Sequence, residues 1–208
     1  MKPILFYDTE TSGLPLFREP SDHPDQPHIV QLGACLVDAD ERRVISSIDL
    51  IVRPDGWEIP QEVANVHGIT TEYAQKVGVP ERLTVQALLD LERAAIYRVA
   101  HNESFDARIL RIACMRFQDL DIADAWKVRA AKCTAQMSTP ILALPPTERM
   151  RAVGRTHHKT PNLGEAYRFF TGRELVGAHS AMVDVRACMD VFFAIQTQEA
   201  QKLEGTTL

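Results

Sequence analysis

Apolar positions change period several times along the chain. Pro3-Ile4-Leu5-Phe6-Tyr7 is a short apolar and aromatic run without helical spacing, as a buried strand has. Residues 29–37 and 44–52 read as two further strands, joined by a polar turn over residues 38–43 into a hairpin beside the first. Ile96-Tyr97-Arg98-Val99-Ala100 is a fourth strand, and residues 126–131 supply a fifth. Helical spacing governs residues 60–66, 83–95 and 163–170, and it places Phe105, Ile109 and Ile112 on one face. It returns over residues 181–198, where Val185, Cys188, Met189, Phe192 and Ile195 form an apolar stripe. This order of elements predicts an α/β fold with a mixed five-stranded sheet flanked by helices. Between the first two strands, Pro15, Pro20, Pro24 and Pro27 with Asp22 and Asp25 exclude helix and central strand, so residues 15–27 are expected to be a loop, either a lid or a passive surface segment.

Composition narrows the class. At 45% hydrophobic content, 208 residues can bury a sizeable core, and no linker divides them, so a single domain over residues 1–208 is expected. No apolar run is long enough to span a bilayer, and Asp8 interrupts the first apolar run before it could serve as a signal, which predicts a cytoplasmic protein without a membrane partner. Cys35, Cys114, Cys133 and Cys188 are far apart with no Cys-x-x-Cys, which argues against zinc and for reduced, mostly buried thiols.

Chemistry enters where acids follow the apolar runs. Strand side chains alternate faces, so Asp8 and Glu10 point one way and Thr9 the other, and an Asp-x-Glu pair can hold one ion together. Such crowded carboxylates call for a positive partner, and hard oxygen donors suit Mg²⁺ or Mn²⁺; alone, the pair also fits a solvated turn. Asp106 falls in the first turn of the helix after the fourth strand, with Ser104 expected as its cap. His179 stands just before the last helix and Asp184 early on it. Four carboxylates and one imidazole are the equipment for two divalent ions and a general base, and hence for phosphodiester hydrolysis.

With Asp8-x-Glu10, Asp106 and His179-x4-Asp184 in order, the chain resembles the DnaQ-like 3′-to-5′ exonucleases over roughly residues 4–197. Ile29-Val30-Gln31-Leu32-Gly33-Ala34, Val66-His67-Gly68-Ile69-Thr70 and Val99-Ala100-His101-Asn102 match further stretches of that family. The His-x4-Asp form resembles its histidine branch, that of ribonuclease T and the polymerase III epsilon type. The long segment at residues 15–27 resembles phage and prophage members. The resemblance implies a ribonuclease H-like fold and two ions, Mg²⁺ or Mn²⁺. Asp8 would bridge the ions, Glu10 and Asp184 would complete the site of the attacking water, Asp106 would hold the second ion, and His179 would deprotonate the water. Further, it implies that Thr11 and Leu14 flank the terminal nucleotide, with Glu62 and His67 near it. A polymerase partner follows by family analogy only.

A net charge of -5 runs against a protein that grips nucleic acid electrostatically, although two divalent ions would leave about -1. Arg149, Arg151, Arg155, His157, His158 and Lys159 form a local basic cluster that reads either as a phosphate contact or as a solvated loop. The expected activity is 3′-to-5′ hydrolysis of single-stranded or frayed DNA ends, releasing nucleoside 5′-monophosphates. RNA or oligoribonucleotides are the alternative substrate. A non-catalytic nucleic-acid-binding module and a small-molecule phosphodiesterase are the competing classes, and oligomeric state is left open.

Overall fold

The computed structural model describes residues 1–205. In chain order the elements are β1 Pro3–Thr11, β2 Ile29–Asp38, β3 Arg43–Arg53, α1 Gln61–His67, α2 Thr71–Val77, β4 Val79–Pro80, α3 Glu81–Ala94 and β5 Arg98–Ala100. There follow α4 Glu103–Phe117, α5 Leu120–Val128, β6 Ala131–Cys133, α6 Thr134–Leu142, α7 Glu148–Ala152, α8 Leu163–Thr171 and α9 Ala181–Gly205. The sheet order is β4-β3-β2-β1-β5-β6, with β1, β2 and β3 antiparallel in sequence and β5 and β6 added parallel to β1.

The alternation of β1 divides its side chains between two cores. Leu5 and Tyr7 pack with Val85, Leu88, Ile109 and Leu110 of α3 and α4. Ile4 and Phe6 pack on the other face with Val185, Cys188 and Phe192 of α9, the rings of Phe6 and Phe192 meeting edge-on at 5.4 Å. Both faces of β1 are therefore covered, which is why its run reads as continuously apolar rather than alternating.

The sheet has six strands rather than the expected five. β4 is two residues long and contains Pro80, too short to leave a periodic signal. The strand expected at residues 126–131 lies instead at Ala131–Cys133, because Asp119 caps a helix by accepting from the Ile122 N–H at 2.8 Å and α5 carries Ala123 and Trp126 into the core. Ser104 is not the cap of α4. The helix begins at Glu103 after Asn102, whose φ of 65° turns the chain sharply from β5. The last helix runs beyond the expected residue 198, to Gly205.

The segment at residues 15–27 is a loop, as its prolines require, and it is fastened at several points. The buried Gln26 side chain accepts from Leu16 N–H at 3.0 Å and donates to the carbonyls of Leu16 and Pro20 at 3.1 and 2.9 Å. Arg108 and Arg116 of α4 donate to the carbonyls of Glu19 and Gln26. Cys35, Cys114 and Cys188 are buried and Cys133 half-buried, all as free thiols. No helix of the described residues is long and apolar enough to cross a membrane.

Candidate active site

Three elements bring the predicted acids together. β1 contributes Asp8 and Glu10 at its C-terminal end, α4 contributes Asp106 from its first turn, and α9 contributes Asp184. With His179 they line one cavity of about 280 Å³, whose wall also includes Thr9, His101, Asn102, Phe105 and Leu163. Ligand atoms of Glu10, His179 and Asp184 lie within 4.8 Å of one another.

Each side chain has a local reason for its place. Thr9, facing opposite Asp8 and Glu10, donates to Asp106 Oδ1 through its hydroxyl at 2.7 Å and its backbone N–H at 3.0 Å. Asp184 folds back over the start of α9, where its Oδ2 accepts from the His179 N–H at 3.1 Å and its own N–H bonds the Ser180 carbonyl. His179 itself adopts φ 67°, a left-handed turn that leaves its side chain exposed at the mouth of the site. The first N–H of α9, on Ala181, donates to Gln31 Oε1 at 3.1 Å, while Gln31 Nε2 donates to Asp49. Gly33, paired with Asp8 across the sheet, lies so close to α9 that an added Cβ would sit 2.6 Å from the Ala181 carbonyl carbon.

The carboxylates disturb one another. Burial, then the charges of Asp106, Asp184 and Glu10, push Asp8 well above the usual carboxylate range. Burial and the neighbouring Asp184 raise Glu10 to about 7. Burial likewise raises Asp106 to about 7 against the opposing effect of its bonds from Thr9. Burial raises Asp184, offset in part by the His179 N–H. Among the described residues no lysine or arginine lines the cavity to balance these acids, and Asp184 Oδ1 is buried with no hydrogen-bond partner. Clustered oxygen donors, one orphaned lone pair and an unbalanced negative charge fit hard divalent cations.

The expected nucleotide contacts are placed unevenly. Thr11 is buried and its hydroxyl donates to the Gly13 carbonyl at 2.8 Å; Leu14 is 74% exposed on the following turn. Glu62 is exposed in the first turn of α1. His67, at the end of α1, accepts from the Ile69 N–H through Nδ1 and leaves Nε2 buried without a partner. Burial, then the proximity of His179, lowers its basicity, so α1 does reach the neighbourhood of the site. None of these four lines the cavity of the acids.

Thr9, Gln31, Gly33 and His101 were not singled out from the sequence as site residues, although each falls inside a motif quoted above. His101 spans the site's floor, with Nδ1 at 2.9 Å from Thr134 Oγ1 and Nε2 at 3.1 Å from the Pro161 carbonyl. The signal that points to them is that motif membership: Thr9 stands between two acids, Gln31 and Gly33 lie in Ile29-Val30-Gln31-Leu32-Gly33-Ala34, and His101 in Val99-Ala100-His101-Asn102. Phe105, expected in the core, packs partly against it while also lining the cavity.

Among solved structures, the chain is similar to E. coli Exonuclease I in complex with a dT13 oligonucleotide, at 20% identity and a TM-score of 0.74, covering 98% of this chain and 43% of that one. It is similar to the zinc-ion-bound form of the E. coli ExoI–ssDNA complex at 20% identity and 0.72, covering 97% and 42%. It is also similar to a product-bound exonuclease I at 19% identity and 0.71, covering 97% and 45%. The chain thus spans less than half the length of these proteins, and at such identity the likeness shows the fold. No curated protein sequence matches. The RNase_T exonuclease family model matches residues 5–192, nearly the whole chain, and the protein belongs to that exonuclease family.

Proposed function

We propose that the protein removes nucleotides one at a time from the 3′ end of DNA, on single strands or frayed ends, and releases nucleoside 5′-monophosphates. The observation that carries this reading is the convergence of Asp8, Glu10, Asp106, His179 and Asp184 on one cavity. Oligonucleotide and ssDNA in the similar exonuclease I structures favour DNA as the polymer. Asp8, Glu10 and Asp184 would hold one Mg²⁺ or Mn²⁺, and Asp8 with Asp106 a second. Bound there, such ions lower the pKa of an attacking water and neutralise charge on the leaving 3′ oxygen.

The protein's own groups do the rest. His179, exposed at the mouth and close to Glu10 and Asp184, accepts the proton of the attacking water. Thr9 holds Asp106, and the turn from His179 to Asp184 sets the imidazole and a carboxylate in one relation. Hydrogen-bonded support of this kind keeps a reacting group in place without reorganisation during the reaction.

Digestion of matched DNA and RNA single strands labelled at the 5′ end, with Mg²⁺, tests the reading. A ladder shortening from the 3′ end, faster on DNA and absent in Asp8→Ala and Asp184→Ala, is expected. Uncut strands, or hydrolysis retained in Asp8→Ala, would overturn it.

A further inference from the structure

A second cavity, about 650 Å³ and more than twice the volume of the carboxylates' own, is walled in part by the last turn of α4. Its wall includes His28, Arg53, Trp57, Glu81, Arg82 and Arg116. The indole of Trp57 and the imidazole of His28 are stacked, with centroids 4.4 Å apart and planes inclined by 7°. That stack is braced from behind. Glu81 is buried, and its Oε2 lies 2.7 Å from His28 Nδ1 while its Oε1 accepts from the Ile29 N–H at 2.9 Å. Arg116 lies 3.6 Å from Glu81 and donates to the carbonyls of Gln26 and Pro27, so the buried acid is matched within the wall.

Arg53 and Arg82 are different. Both are exposed, both line the cavity, and among the described residues neither guanidinium has a hydrogen bond or ion pair with the protein. Among the described residues, Asp55 is the only acid in the lining besides Glu81. The cavity therefore offers a rigid aromatic surface beside two uncommitted guanidinium groups, on a chain whose net charge of -5 gives it no general attraction for polyanions.

Two connections run from the cavity to the chemistry. Along α4, Arg116 in its wall is ten residues from Asp106, about 15 Å at the helical rise. The Ser12 N–H donates to the His28 carbonyl at 3.0 Å and Ser12 Oγ accepts from the His28 N–H at 2.9 Å. Ser12 is two residues past Glu10, so strand geometry puts the His28 backbone about 8 Å from that of Glu10. A strand whose 3′ end lay among the carboxylates would reach the stack within a few nucleotides.

We propose that this cavity is a subsite for single-stranded nucleic acid upstream of the 3′ end, with bases against the His28–Trp57 stack and backbone phosphates on Arg53 and Arg82. Aromatic faces with flanking cations bind strands without regard to sequence, and guanidinium groups pair phosphate bidentately. An acidic peptide would use the arginines but leave the stack without a role. The inference rests on the nuclease reading, and its test separates the two.

Trp57 supplies the probe. The other tryptophan, Trp126, is 2% exposed and packs against Tyr7, whereas Trp57 is half-buried at the cavity. Intrinsic fluorescence of the intact protein in EDTA is titrated with a thymidine dinucleotide, a thymidine dodecanucleotide and a polyglutamate peptide. The dodecanucleotide is expected to quench strongly and the other two weakly. Arg53→Ala with Arg82→Ala is expected to weaken its binding about tenfold and to raise its KM in the Mg²⁺ reaction far more than that of the dinucleotide. No quenching by a dodecanucleotide that the protein digests, unchanged binding and KM in the double variant, or tighter binding of the peptide would overturn the subsite. Quenching lost in the double variant, on a strand that is never shortened with Mg²⁺, would sustain the subsite and sink the exonuclease reading.

Discussion

The hydroxyl and the backbone N–H of Thr9 both donate to Asp106 Oδ1, at 2.7 and 3.0 Å. The residue between the two acids of β1 thus serves the opposite face of the strand, where α4 presents the third acid. One tripeptide fixes three carboxylates. Thr9→Val keeps the shape and the N–H but removes the hydroxyl, and a hydrogen bond to a charged group contributes about 1.5–3 kcal/mol. The expected outcome is a loss of roughly tenfold or more in exonuclease rate and a higher Mg²⁺ requirement, read from initial rates across a Mg²⁺ titration.

Gly33→Ala should displace α9, since the new Cβ would lie 2.6–2.8 Å from backbone atoms of Ala181 and Met182. Overpacking of this kind costs about 1–3 kcal/mol. Urea unfolding should report that loss, and hydrolysis should fall further than stability because His179 and Asp184 move with the helix.

Metal-free stability should fall with rising pH. Glu10 titrates at about 7 in the folded chain against 4.5 for an ordinary glutamate, and Asp106 is also raised to about 7 from 3.8. Between these values the folded state binds more protons than the unfolded one, so stability is greatest below the unfolded values and is lost as pH rises toward 7. Melting in EDTA should occur at a higher temperature at pH 5 than at pH 8, as far as these groups govern it. Mg²⁺ should raise the melting temperature more at pH 8, where the carboxylates are ionised.

His179→Ala should lower turnover by roughly 10²–10⁴-fold, the range for loss of a general base. The Mg²⁺ concentration giving half the maximal rate should change little, because the four carboxylates remain. A variant that lost rate only through weaker Mg²⁺ binding would make His179 a ligand instead.

Much of this arrangement was legible in the sequence because its signals were local. Ile4 and Phe6 of the first run and Val185, Cys188 and Phe192 of the last stripe are set by burial against each other, and Asp8, Glu10, Asp106, His179 and Asp184 stand at the ends of patterned segments. What escaped depends on contacts remote in sequence. Gln31 meets Ala181 across 150 positions, and Thr9 meets Asp106 across 97, with no periodicity to announce either. The strand expected at residues 126–131 is displaced because Asp119 caps a helix that the apolar pattern near Trp126 does not distinguish from a strand. The fastening of residues 15–27 was hidden for a similar reason, since Gln26, Arg108 and Arg116 hold the loop through contacts outside its own turn chemistry.

Crystals soaked with Mn²⁺ and dTMP, with an anomalous difference map at the manganese edge, would locate the ions. The expected result is manganese bound by carboxylate oxygens of Asp8, Glu10 and Asp184, with a second ion at Asp106. Manganese absent from these carboxylates, under conditions where Mn²⁺ supports hydrolysis in solution, would contradict the assignment of the active site.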